Sequence, residues 1–238
     1  MKALSSILIF FFLGSFALAQ SDYHDASGYV EIKGRKAGSC FFIKDESKDG
    51  KEYIFAITCF HVIGKAEEED VTICKKEEDI EYKSNVKFIF CDSEQDIALV
   101  LLKKTEGFTV PDITINTKTP KIGEKVKAVS NPYGLDYTYC EGYVSNVKRY
   151  AGLLAIYQIN ILAYPGSSGS GVFNDKLELV GMIFSIRAEI TKDGILVPAS
   201  FITFAIRGKD IYTSLKNGGM SFLLDEQTVP DQIVELLK

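Results

Sequence analysis

Only two histidines occur among the 238 residues of this chain, so any imidazole chemistry rests on very few side chains. His24 lies in a polar amino-terminal stretch, which leaves His61 as the candidate base. It sits in Thr58-Cys59-Phe60-His61-Val62-Ile63, where an apolar strand run gives way to a glycine and a charged loop. Asp96 opens the run Asp96-Ile97-Ala98-Leu99-Val100-Leu101-Leu102, a position from which a carboxylate can fix the tautomer of an imidazole. The segment Pro165-Gly166-Ser167-Ser168-Gly169-Ser170-Gly171 is a turn that leads straight into strand-like residues. Gly166 and Gly169, either side of Ser168, let the backbone bend tightly so that N–H groups converge beside a hydroxyl. A serine hydroxyl is a poor nucleophile until a base takes its proton, and the base needs a third group to orient it. Taken singly, these are a strand-end histidine, a turn aspartate and a Gly-Ser loop. In the order His61, Asp96, Ser168 they specify nucleophilic acyl chemistry. An imidazole base acts in its neutral form, so the expected activity climbs from acid to neutral pH.

Positioning three such groups requires a scaffold, and the rest of the chain reads as strands. Gly28–Lys33 alternates in polarity, and Cys40–Ile43 and Tyr53–Thr58 flank Asp49-Gly50, a strong hairpin signal. Val71–Cys74 and Ile80–Phe90 flank a charged tip, and Ile97–Leu102 is a continuous apolar run of buried-strand length. Val126–Ser130, Gly142–Val147, Leu153–Ile161, Gly171–Phe173 and Glu178–Ile186 continue the series. Many short strands separated by turns imply an all-β sandwich or barrel. Helices are expected at Lys209–Lys216, stopped by Gly218-Gly219, and at Asp231–Lys238. The acidic run Glu67–Asp70 reads as a solvated loop.

Composition excludes several classes. The chain is 46% hydrophobic and 25% charged with 19 glycines, the make-up of a globular protein rather than a disordered or collagen-like one. A formal charge of −5 supplies no basic stripe for phosphate contacts, so no nucleic-acid partner is expected. Met1-Lys2, the apolar run Ile7–Leu13 and Ala17-Leu18-Ala19 form a signal-peptide pattern with cleavage after Ala19. The run is short of the roughly 20 apolar residues of a membrane span. The expected product is therefore residues 20–238, secreted or periplasmic, without stable membrane insertion. Cys40, Cys59, Cys74, Cys91 and Cys140 leave at least one thiol unpaired in a monomer. No spacing gives a Cys-x-x-Cys pair, so no metal site is expected, and Cys59 reads as a strand residue.

The residues around the three candidates closely resemble the chymotrypsin-fold (trypsin-like) serine endopeptidases, particularly the HtrA/Deg-like branch. Gly38-Ser39-Cys40-Phe41-Phe42-Ile43 is similar to that branch's opening strand, and Thr58–Ile63 to its T-N-x-H-V-I. Asp96–Leu101 is similar to D-L-A-L-L, and Ser130-Asn131-Pro132-Tyr133-Gly134-Leu135 to G-N-P-x-G-L. Gly142-Tyr143-Val144-Ser145 matches G-x-V-S, and Gly166–Gly171 matches G-N-S-G-G-x. Leu179-Val180-Gly181-Met182 and Phe204-Ala205-Ile206 match the closing segments. Against the pattern, Cys59-Phe60 replaces a smaller or polar pair, and Ser167 and Ser170 stand where Asn or Asp and Gly are common. No PDZ domain is expected after Lys216, and the state of assembly, monomer or trimer, is left open.

The resemblance implies two antiparallel six-stranded β-barrels, about 28–104 and 108–206, followed by a short helical segment. It implies catalytic roles for His61, Asp96 and Ser168, and an oxyanion hole built from the N–H groups of Gly166 and Ser168. No cofactor or metal is called for. The primary substrate pocket falls on Leu162, Phe184, Ser185 and Ile186, none charged, which predicts cleavage of polypeptides after apolar residues unless Arg187 or Lys192 reaches in. The alternatives are an impaired protease-fold protein that binds unfolded chains or a partner, and a non-enzymatic β-barrel adhesion protein.

Overall fold

The computed structural model describes residues 22–190, 192–193, 196–224 and 228–237; the leader expected at 1–19 lies outside them. Residues Ser27–Ile32 (β1), Arg35–Glu46 (β2), Glu52–Thr58 (β3), Val71–Glu77 (β4), Ile80–Asp92 (β5) and Ile97–Leu102 (β6) close into a barrel ordered β1-β2-β3-β6-β5-β4. Lys125–Ser130 (β7), Thr138–Ala151 (β8), Leu154–Ile159 (β9), Gly171–Phe173 (β10), Leu179–Ile190 (β11) and Leu196–Arg207 (β12) close a second, ordered β10-β11-β12-β9-β8-β7. Neighbouring strands pair antiparallel throughout. Closure removes the exposed edges that a flat sheet of this many strands would present.

All six residues of β6 are buried, which a strand with one solvated face cannot be. The cover comes from the carboxyl-terminal segment, which returns over the first barrel. Phe222 packs on Phe55 with ring centroids 5.8 Å apart, and the Val229 N–H donates to Glu46 O at 2.9 Å. Ser214 on helix α2 (Gly208–Asn217) donates to Asp92 Oδ2 at 2.6 Å. Helix α2 stops at Gly218, followed by Gly219 with φ of +82°, as glycine-terminated helices do.

Several elements depart from the sequence expectations. β12 is absent from the expected strands because its alternation is broken. Pro198 lies opposite Ala188, Phe201 has φ of +61°, and the ladder shifts register between Ile186 and Ala188, the signature of a bulge. The acidic run is not a freely solvated loop. Glu68–Asp70 forms a 3₁₀ turn, and Glu68 Oε2 accepts the Phe88 N–H at 2.9 Å while Oε1 pairs with Lys87 Nζ at 3.0 Å. The last helix is shorter than expected, Asp231–Glu235. Cys59 lies beyond β3, capping a short helix, α1 (Phe60–Ile63). His24, in the polar amino-terminal stretch, stacks on Tyr137 at 4.1 Å. All five cysteines are free thiols.

One cluster of buried side chains spans the first barrel and the seam between the two, while Val126, Val144, Tyr157, Val172 and Ile183 form a separate core inside the second. Phe41 of β2 meets Phe173 of β10 edge-on at 6.3 Å, Tyr23 flanks Phe173 at 6.1 Å, and the Tyr23 hydroxyl donates to Asn174 O at 2.9 Å. Phe173 is fully buried. Phe173→Ala is expected to cost about 3–5 kcal/mol, read as a lowered midpoint in urea denaturation; a loss under about 1 kcal/mol would show that the seam can collapse around the gap.

Candidate active site

The seam holds the candidate residues at its open side. Asp96 ends the turn before β6 with φ of +57°, a left-handed conformation that aspartate tolerates better than most residues. From there it holds the start of α1 at three points. Its carbonyl accepts the Phe60 N–H at 3.1 Å, Oδ1 accepts the His61 N–H at 2.8 Å, and Oδ2 lies 2.7 Å from His61 Nδ1. A carboxylate there favours the proton on Nδ1 and leaves Nε2 free to accept one. The His61 side chain is half exposed and that of Asp96 is mostly covered, at 49% and 18%. Phe60, the unusual neighbour of His61, lays its ring against Gly64, where an added Cβ would come within 2.7 Å of it.

The Ser168 turn comes from the second barrel and is clamped to the first by Ser39. The Ser39 N–H donates to Ser168 O at 2.8 Å, its hydroxyl donates to Gly166 O at 2.8 Å, and its carbonyl accepts the Thr58 hydroxyl at 2.7 Å. The same Ser39 hydroxyl accepts the Asn131 N–H at 3.0 Å. Gly169, at φ of +94°, is pressed so close that a Cβ would lie 2.0 Å from Ser39 O and 2.4 Å from Thr58 Oγ1. Only glycine fits there.

The Gly166 peptide is oriented from both ends. Pro165 O accepts the Tyr133 N–H at 2.7 Å, and the peptide bonds are trans, so the Gly166 N–H points away from Tyr133. Among the described residues, neither the Gly166 nor the Ser168 N–H has a hydrogen-bond acceptor. Two free backbone donors beside a serine are what an oxyanion would need. The Ser168 hydroxyl, half-buried, donates to Phe184 O at 3.3 Å, and no hydrogen bond joins it to His61.

Phe184, Ser185 and Ile186 lie half-buried on β11, and Leu162 is half-buried in the segment leading to the serine turn. The Thr203 hydroxyl of β12 donates to Ile161 O at 2.7 Å, and Thr203 is opposite Ile186 in the ladder, so the two stretches share one end of the barrel. Arg187 and Lys192 are exposed. A cavity of about 240 Å³ lies on the other side of the turn, lined by Lys36, Gly38, Asn131, Tyr133, Pro165 and Gly166. Sequence reasoning missed Ser39, Thr58 and Asn131 as members of the site; each stood inside a motif that resembled the family, which was the available signal.

Cys59 is the other unexpected neighbour. Its Sγ donates to Ile183 O at 3.4 Å, and with His61 and Asp96 it forms a group whose ligand-type atoms all lie within 4.8 Å of one another. Burial, and after it the Asp96 charge, push the Cys59 thiol well above the ordinary thiol range, so it is a neutral S–H.

Two closed six-stranded barrels, with an imidazole–carboxylate pair on one and a serine turn on the other, define the chymotrypsin fold. The sequence pattern of the trypsin-like peptidase domain matches residues 38–182, and the chain belongs to that family. It is 29% identical over 197 residues to a probable periplasmic serine endoprotease DegP-like of Pseudomonas fluorescens, covering 81% of this chain and 37% of that protein. The chain thus spans little more than a third of such curated relatives. Among solved structures it is similar to the HtrA-type protease AlgW with tripeptide, with TM-score 0.66 and 21% identity over 89% of this chain and 64% of the other. It is also similar to Deg5, with TM-score 0.63 and 18% identity over 90% and 95% of the two chains. Among the described residues, no helix is long and apolar enough to cross a membrane.

Ser39→Ala would leave Gly166 O and the Asn131 N–H without their partner. The expected cost is about 1–3 kcal/mol of stability. A disproportionate slowing of Ser168 labelling by a fluorophosphonate is also expected under conditions where the variant is fully folded. Labelling at the wild-type rate would show that the clamp does not set the serine turn.

Proposed function

We propose that this chain is a serine endopeptidase that hydrolyses peptide bonds of unfolded or misfolded polypeptides outside the cytoplasm. The domain would occupy residues 20–238 after removal of a leader at 1–19, in a secreted or periplasmic setting like that named for its relatives. The observation that carries the reading is the pairing of His61 with Asp96 at 2.7 Å opposite a serine turn whose Gly166 and Ser168 N–H groups are unpaired. His61 Nε2 takes the Ser168 proton as Oγ attacks the peptide carbonyl. The two N–H groups receive the oxyanion, and Asp96 stabilises the imidazolium before His61 returns the proton to the leaving amine. Desolvation of a charged substrate side chain against Leu162, Phe184 and Ile186 would cost several kcal/mol, whereas each buried methylene gains about 0.8 kcal/mol. Cleavage after Val, Ala, Leu or Ile is the proposed preference.

One observation favours a second reading, an impaired protease-fold protein that binds unfolded chains. The Ser168 hydroxyl faces Phe184 O instead of His61. Catalytic hydrogen bonds are often unmade without substrate. Fluorophosphonate labelling discriminates, because it needs nucleophile, base and oxyanion donors but no particular substrate. The expected result is stoichiometric labelling and casein hydrolysis by the wild type, with both lost in a normally folded Ser168→Ala variant by several orders of magnitude. An unlabelled, folded wild type would establish the second reading, and full activity in Ser168→Ala would sink the triad.

Cleavage-site profiling on a mixed peptide library tests the pocket. Small and medium apolar residues are expected before the cut. A dominance of Lys or Arg would contradict the pocket, and one of Glu or Asp would show that Arg187 or Lys192 reaches it.

A further inference from the structure

The tertiary fold assembles a set of metal-ligand types that no sequence spacing announces. Cys59 and His61 lie two residues apart at the turn from β3 into α1, and Asp96 arrives from the turn before β6. One ligand-type atom from each residue falls within a common 4.8 Å. A thiol, an imidazole nitrogen and a carboxylate oxygen are all ligand classes that zinc and its softer congener cadmium accept. We propose that Cys59 Sγ, His61 Nδ1 and Asp96 Oδ2 form an inhibitory site for zinc-class divalent cations.

The geometry is close to what such an ion needs. Zinc lies about 2.3 Å from thiolate sulfur and about 2.0–2.2 Å from nitrogen or carboxylate oxygen. Tetrahedral ligand atoms are therefore about 3.3–3.7 Å apart. The Nδ1–Oδ2 separation of 2.7 Å must open slightly and the wider separations close within their 4.8 Å limit. The His61 side chain is half-exposed, and the sulfur rests on Ile183 O through a long contact of 3.4 Å, with the Gly169 backbone and the Asp96 carboxylate as its other hydrogen-bonding neighbours. Asp96 Oδ1 stays on the His61 N–H, so the turn keeps its anchor while Oδ2 changes partner.

The proton balance explains why binding inhibits. In the metal-free site the imidazole proton is on Nδ1, the thiol is protonated and Nε2 carries the free lone pair. The ion takes the Nδ1 lone pair and the thiolate. The thiol proton leaves to solvent, and the Nδ1 proton is replaced by one on Nε2. Two positive charges enter and one proton leaves, so the group changes from a net charge of about −1 to neutral. With Nε2 protonated, His61 has no lone pair to receive the serine proton. The lack of a Cys-x-x-Cys spacing argued against a metal site, and no local spacing could join Asp96, 35 residues from His61, to the group.

The binding step is independent of the protease reading; the inhibition step rests on it. Cadmium titration of the full chain is expected to give one ultraviolet cadmium–thiolate band per chain, reversed by EDTA. The band should vanish in Cys59→Ser and persist in Cys91→Ser and Cys140→Ser, which change the two more accessible thiols. His61→Gln, at a half-exposed side chain that can change without disturbing the core, should weaken cadmium binding at least tenfold even if Cys59→Ser folds poorly. Micromolar zinc should slow fluorophosphonate labelling of the wild type, with EDTA restoring it, and leave each Cys59→Ser rate equal to its own metal-free value. Absence of the band, its loss with Cys91→Ser or Cys140→Ser, or unchanged cadmium affinity in His61→Gln would overturn the site. A band accompanied by undiminished labelling would overturn the inhibition. A wild type that never labels would refute the protease reading, and the cadmium band would still decide the site.

Discussion

The active-site geometry depends on one contact between the barrels, the grip of Ser39 on the serine turn. Three polar groups of a single residue are used on two segments, the serine turn and the end of β3. Its N–H and hydroxyl hold the carbonyls of Ser168 and Gly166, and its carbonyl takes the Thr58 hydroxyl. Ser39 is completely buried, so these bonds form where water cannot substitute for them, and each unmade one would leave an expensive orphan. The consequence is directional. Holding the Pro165 carbonyl toward Tyr133 turns the Gly166 N–H to the other side of that peptide, and the Ser39 hydroxyl fixes the next peptide through Gly166 O. Backbone donors aimed in advance need no reorganisation when charge develops, which is why such preorganisation is worth several kcal/mol in acyl transfer.

On the opposite wall the imidazole is held by a strained residue. Asp96 occupies a left-handed conformation and uses its carbonyl and both carboxylate oxygens on Phe60 and His61. Local strain of this kind costs of order 1–3 kcal/mol and persists only where the surroundings over-determine it. Here the surroundings are the wholly buried β6 that follows and the short helix that it holds. The carboxyl-terminal segment matters to the site for the same reason. By covering the outer face of the first barrel it lets β6 be apolar on both sides, and β6 sets where Asp96 stands.

The residues that depart from the motif pattern noted in the sequence have local physical effects. Phe60 rests on Gly64 rather than on a polar neighbour. Ser170 puts a fully buried hydroxyl, without a hydrogen-bond partner among the described residues, in the nucleophile turn, an arrangement that costs stability relative to glycine or alanine. Cys59 places a soft neutral thiol beside the imidazole–carboxylate pair. The thiol is a weak donor to its neighbours, so it perturbs the pair little until a cation arrives.

The sequence by itself determined the element types and the order of the chemistry. Apolar runs of strand length, the Asp49-Gly50 hairpin and the glycines around Ser168 each encode a local conformation, so β3, β6, β10 and helix α2 were legible within a residue or two. His61 was legible by elimination. What the sequence left dark is what depends on distant partners. β12 was hidden because Pro198 and the bulge near Phe201 break the alternation that the ladder with β11 tolerates. Glu67–Asp70 looked like solvent because nothing local announces Phe88 and Lys87 across the strand. Ser39 and Asn131 looked like ordinary strand and turn residues, since hydrogen bonds to segments 92 to 127 residues away leave no periodic trace. The same holds for Cys59, which became a neighbour of Asp96 only when barrel closure brought β6 beside β3. Local conformational preference is written in short windows; polar satisfaction in a closed barrel is decided by whichever residues closure brings together.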